Sequence, residues 1–180
     1  MNSILIGSFS VDKMVEILCT VGQAQEEADE INEALKAYKH ALTLDETNLR
    51  ALQCAGWLSF QVDKNNEALE YLIRANLIND EDPNIMYMIS RCYLKAKQYS
   101  KAYECLHKCL TKEPKNSTFW CSLGILFAEM NQVKSAHECF TNALHFNPTN
   151  AENFFNMGCL YELCAQPIDA IVMHEKAIEL

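Results

Sequence analysis

The chain has 180 residues and a net charge of −9, with 15 Lys and Arg against 24 Asp and Glu. Hydrophobic residues make up 49% and charged residues 22%, an ordinary globular composition, and 5 Gly with 4 Pro give little punctuation for a turn-rich β fold. An acidic chain without a lysine or arginine run repels phosphate backbones, which argues against direct nucleic-acid binding, and no apolar stretch approaches a membrane span.

Residues 1–14 read as an N-terminal extension. Its short apolar run (Ile4, Leu5, Ile6) lacks a basic leader and is too short for a signal h-region. From residue 15 the chain aligns on itself at a 34-residue period without insertion. The predicted repeats are 15–48, 49–82, 83–116, 117–150 and an incomplete 151–180, expected to form one solenoid domain. The first carries Leu18, Val21, Gly22 and Gln25 on one helix and Ala34, Tyr38 and Ala41 on the next. An acidic run in it, Glu26 to Glu33, reads as a solvated face. The second repeats the spacing with Leu52, Ala55, Gly56, Ser59, Ala68, Leu72 and Ala75, and the third with Met86, Ile89, Ser90, Tyr93, Ala102, Leu106 and Cys109. The fourth is clearest: Trp120, Leu123, Gly124 and Phe127, then Ala136, Phe140 and Ala143, closed by Pro148. The fifth gives Phe154, Met157, Gly158, Tyr161, Ala170, His174 and Ala177.

Helix starts recur at the same spacing. Asn48, Asp82, Asn116 and Asn150 each stand where a side-chain oxygen can accept from the free N–H groups of the next helix. Ser10 stands similarly ahead of the first. Pro83 and Pro167 suit a first helical position. The nine cysteines are odd in number, contain no C-x-x-C pair and fall in apolar-periodic stretches, so they read as reduced core residues. Cys105, His107 and Cys109 do not make a zinc site, because on a helix the histidine points away from the cysteine pair. No metal ligand set and no cofactor is expected.

This spacing resembles the tetratricopeptide repeat (TPR), whose W-x2-L-G-x2-Y…A-x3-F…P pattern these positions match over residues 15–180. The resemblance implies an all-α, right-handed superhelix, an α-solenoid of antiparallel helix pairs. It also implies that the first helices line a concave peptide-binding groove. The corresponding positions are Gln53, Trp57 and Phe60 in the second repeat and Tyr87, Arg91 and Leu94 in the third. The fourth gives Cys121 and Ile125, and the fifth Phe155 and Cys159. Such a trough suits an amphipathic helical or extended protein segment. A carboxylate clamp of the co-chaperone kind is not assembled: its sites in the first three repeats hold Cys19, Gln23, Cys54, Asn84 and Met88.

The run Phe119 to Phe127 (FWCSLGILF) looks like the F-W-C-S-I-G-V-L-Y segment of the TPR subunit of the fungal general transcriptional corepressor. A related segment occurs in the TPR region of UTX-type histone demethylases. Asn156 to Glu162 (NMGCLYE) and Glu67 to Leu72 (EALEYL) resemble further segments of the same family. The resemblance implies a nuclear, non-catalytic transcriptional corepressor adaptor between DNA-bound repressors and a WD-repeat corepressor subunit or chromatin-modifying enzymes. An adaptor of another complex, such as the cell-cycle ubiquitin ligase, in nucleus or cytoplasm, shares the repeat signature and stays open as the alternative. No enzyme or small-molecule substrate is expected. The five histidines all fall in second helices, and no P-loop, G-x-G-x-x-G, H-E-x-x-H or nucleophile elbow is present.

Overall fold

The computed structural model describes residues 10–180, so the apolar run at Ile4 to Ile6 lies outside the described residues. The described chain consists of helices joined by short turns: α1 (Val11–Glu27), α2 (Ile31–Leu44), α3 (Leu49–Gln61), α4 (Asn65–Ile78), α5 (Pro83–Lys95), α6 (Tyr99–Lys112), α7 (Ser117–Glu129), α8 (Val133–Phe146), α9 (Ala151–Leu163) and α10 (Pro167–Glu179). This is the all-α solenoid class of paired helices. The chain divides into two compact units, one through Ile85 and one from Met86.

In the N-terminal unit α1 packs on α2, α3 on α4, and α2 on α3. Helix α1 buries Val15, Cys19 and Gly22, and α2 buries Ala34, Leu35, Tyr38, Ala41 and Leu42. These are one-stripe spacings of an amphipathic helix. In the C-terminal unit α7 touches α6, α8 and α9, and α9 pairs with α10. Helix α7 is therefore apolar on several sides and buries Phe119, Cys121, Ser122, Leu123, Gly124 and Leu126. Phe140 of α8, 2% exposed, joins Cys121, Met157 and Leu160 in one cluster. Burying a ring of that size is worth roughly 2–3 kcal/mol.

The close approach inside four of the five pairs is set by a missing Cβ. A methyl on Gly124 would lie 2.6 Å from the Phe140 ring, and one on Gly22 would lie 2.8 Å from the Tyr38 ring. The four glycines of the described residues are spent on that contact and not on turns. The left-handed residues are instead Asp29, Asp63, Lys97, Asn131 and Ala165, each with φ between 56° and 62° and each 34 residues from the next. They reverse the chain between the two helices of a pair. The N–H of the following residue reaches back to the first helix, as from Gln132 to the Phe127 carbonyl (2.8 Å) and from Gln166 to the Tyr161 carbonyl (3.0 Å). One residue thus closes one helix and opens the next, and the second helices carry no side-chain cap.

The first helices are capped as their sequence suggests. Asn48 Oδ1 accepts from Ala51 N–H (3.0 Å), Asp82 Oδ1 from Asn84 (2.8 Å), Asn116 Oδ1 from Thr118 (3.0 Å) and Asn150 Oδ1 from Asn153 (3.1 Å). Ser10 does the same for α1 at 3.4 Å. All nine cysteines are free thiols. Burial pushes Cys92 and Cys121 up to about 11 and Cys139 up to about 12, so these thiols stay protonated and inert near neutral pH. Cys109 is buried, whereas His107 is exposed on the other side of α6.

Candidate peptide-binding surface

In the N-terminal unit the inner face of α3 is buried through Ala51, Leu52, Ala55, Gly56, Leu58 and Ser59. Gln53, Trp57 and Phe60 remain half-buried beside it. Trp57 and Phe60 sit one turn apart and stack, with ring centroids 5.5 Å apart and planes 19° from parallel. Gln53 Nε2 donates to Asp82 Oδ2 at 3.1 Å, the carboxylate that also caps α5. The cap therefore fixes the amide as well as the helix start.

In the C-terminal unit Tyr87, Arg91 and Leu94 are half-buried along α5. Arg91 Nη1 donates to the Tyr87 hydroxyl at 2.9 Å, and its guanidinium carbon lies 5.8 Å from the centre of the same ring. The Tyr87 ring lies 5.4 Å from that of Phe119. This arrangement holds a cation over an aromatic face.

The other four residues do not share one surface. Ile125 and Cys159 come together in a cavity of about 440 Å³ between α7 and α9, with Asn156, Leu160 and Leu163. Cys121, by contrast, is only 4% exposed and belongs to the core; its Sγ accepts from Asn156 Nδ2 at 3.2 Å. It supports the cavity wall through Asn156 and offers almost no surface itself. Phe155 is 53% exposed but faces α10, its ring 5.3 Å from that of His174. It lines a separate cavity of about 410 Å³ with Glu152, Ala177 and Ile178. Asn156 and Leu163 were not singled out from sequence. Asn156 lies one turn before Cys159 on the same helix face, so the period contained that signal.

A further cavity of about 520 Å³ opens on the side of the second helices, lined by Tyr103, His107, Trp120 and Phe127 among others. Trp120 is fixed there by its indole N–H, which donates to the Pro114 carbonyl at 2.7 Å. Among the described residues no helix is long and apolar enough to cross a membrane.

Models of the tetratricopeptide repeat match residues 15–48, 59–120 and 139–172, together most of the chain. Among characterised proteins, the general transcriptional corepressor ssn6 of Schizosaccharomyces pombe is 32% identical over 74 residues, which is 39% of this chain and 7% of that protein. The general transcriptional corepressor trfA of Dictyostelium discoideum is 32% identical over 75 residues, 40% of this chain and 5% of its own length. The matched stretch is thus a small part of both relatives. Among solved structures, MamA (residues 41 to the end) of Desulfovibrio magneticus superposes with a TM-score of 0.78 at 17% identity, covering 93% of this chain and 94% of that one. YrrB, described as a TPR protein with an unusual peptide-binding site, gives 0.67 at 21% identity, covering 95% and 92%. At these identities the structural likeness bears on the fold alone.

Proposed function

The chain belongs to the tetratricopeptide-repeat family, a protein-interaction scaffold, and from that premise we propose that it is a non-catalytic adaptor of transcriptional repression. In this reading it holds segments of DNA-bound repressors and corepressor or chromatin-modifying partners, among them a WD-repeat subunit, in the nucleus. The observation that carries the reading is the 32% identity to two general transcriptional corepressors. The half-buried aromatic, aliphatic and arginine side chains of α3, α5, α7 and α9 supply the residue types that anchor a helical or extended peptide.

The test is affinity purification from nuclear extract of the source organism. Recovery of sequence-specific repressors or a WD-repeat corepressor is expected. Recovery of ubiquitin-ligase subunits without any transcription factor overturns the reading. For the surface, Trp57→Ala combined with Arg91→Ala is expected to weaken binding of the recovered partner by about 2 kcal/mol or more, roughly thirtyfold, with helicity unchanged by circular dichroism. Unaltered affinity shows that neither Trp57 nor Arg91 takes part in holding that partner.

A further inference from the structure

The end of the C-terminal unit holds three side chains of metal-ligand type close together. Cys159 and Glu162 stand three residues apart on α9 and so share one face, and α10 lays His174 against it. The Cys159 Sγ, a Glu162 carboxylate oxygen and a His174 ring nitrogen all lie within 4.8 Å of one another. His174 Nε2 is 3.1 Å from Glu162 Oε1. Among the described residues no other group of three His, Cys, Asp or Glu side chains converges in this way.

The place of His174 in the repeat is the second observation. The same position holds Tyr38, Leu72, Leu106 and Phe140 in the other four repeats, each at most 2% exposed and each packed as a core residue. His174 fills that place in the fifth repeat, with Cε1 2.5 Å from where a Cβ on Gly158 would stand. Three of those four are apolar, and the Tyr38 hydroxyl donates to Glu26, which stands in the first repeat where Glu162 stands in the fifth. An imidazole brings two nitrogens that need polar partners; Nε2 has the Glu162 carboxylate, and the Cys159 sulfur lies within 4.8 Å.

We propose that Cys159, Glu162 and His174 form a binding site for one zinc-class divalent ion, with the fourth tetrahedral position open to water or to a partner's side chain. A thiolate with an imidazole selects such an ion over magnesium or calcium, which prefer all-oxygen shells. Metal bonds of about 2.0–2.3 Å bring tetrahedral ligand atoms to roughly 3.3–3.8 Å from one another. Metal binding requires side-chain rotation to close the observed spread to that distance. Burial raises the Cys159 thiol above its ordinary range, so the thiol arrives protonated and releases one proton to solvent as the metal binds. The site stands apart from the corepressor reading, because the ion binds without any partner protein.

The experiment titrates the full, reduced chain with Co²⁺ as the spectroscopic probe. One equivalent is expected to give a thiolate-to-cobalt charge-transfer band and tetrahedral visible bands, both abolished by Zn²⁺. Cys159→Ser removes the charge-transfer band, while Cys164→Ser leaves it. His174→Phe places at 174 the side chain found at 140, keeping the helix pair folded, and weakens Co²⁺ binding by about tenfold or more. Absence of any band at millimolar Co²⁺, or a band that survives Cys159→Ser, overturns the proposal.

Discussion

At the scale of single residues, small side chains decide how near two helices can lie. Gly124 faces Phe140, whose ring is buried and has neighbours on every side. Ala is the better helix former by about 1 kcal/mol, so on propensity alone Gly124→Ala stabilises. The methyl, however, has only a rigid ring to displace, and overpacking of that kind costs about 1–3 kcal/mol. We expect Gly124→Ala to lower stability in urea unfolding, the opposite sign to the propensity scale; a raised midpoint shows that the ring gives way. The third repeat carries Ser90 where the others carry glycine, and its hydroxyl is turned back to the Tyr87 carbonyl at 2.6 Å. The same scale explains Cys121. It sits in a register that reads as surface by spacing, yet the neighbouring α9 covers it and Asn156 bonds its sulfur.

At the scale of elements, the start of each first helix is secured by a side chain and each turn inside a pair by a left-handed residue. Asp and Asn tolerate that conformation, but Lys97 and Ala165 have no local side-chain recompense. A left-handed non-glycine residue costs about 1–2 kcal/mol. Ala165→Gly relieves it, although glycine loses more freedom on folding, about 0.5–1 kcal/mol. The net expectation is a gain of about 0.5–1 kcal/mol and a higher melting temperature. A lower melting temperature shows that the turn is not strained. The helix faces were legible from the 34-residue period, and so were the four caps. The left-handed turn residues were not, because Lys97 and Ala165 break the Asp and Asn pattern of the other three.

At the scale of the whole molecule, charge and repetition set what the chain can hold. A net charge of −9 opposes long-range attraction to a phosphate backbone. A 30-bp duplex is therefore expected to show no mobility shift with micromolar protein at 150 mM salt. A shift that weakens steeply as salt is raised shows a basic surface that overcomes the net charge. Repression in this reading runs through bound proteins and not through direct DNA contact.

The sequence by itself determined the period, the helix count per repeat, the caps and the likeness to corepressor TPR segments. All of these depend on residues within one or two helical turns or on a fixed spacing, so they survive without knowledge of the packed state. The tertiary structure decided which candidate surface residues stay accessible. Ile125 and Cys159 meet across α7 and α9, Phe155 turns to α10, and Cys121 is covered. It also brought Cys159, Glu162 and His174 together. These outcomes depend on how neighbouring helices fill one another's grooves, and that is set by side-chain volume across the contact, which periodicity does not carry.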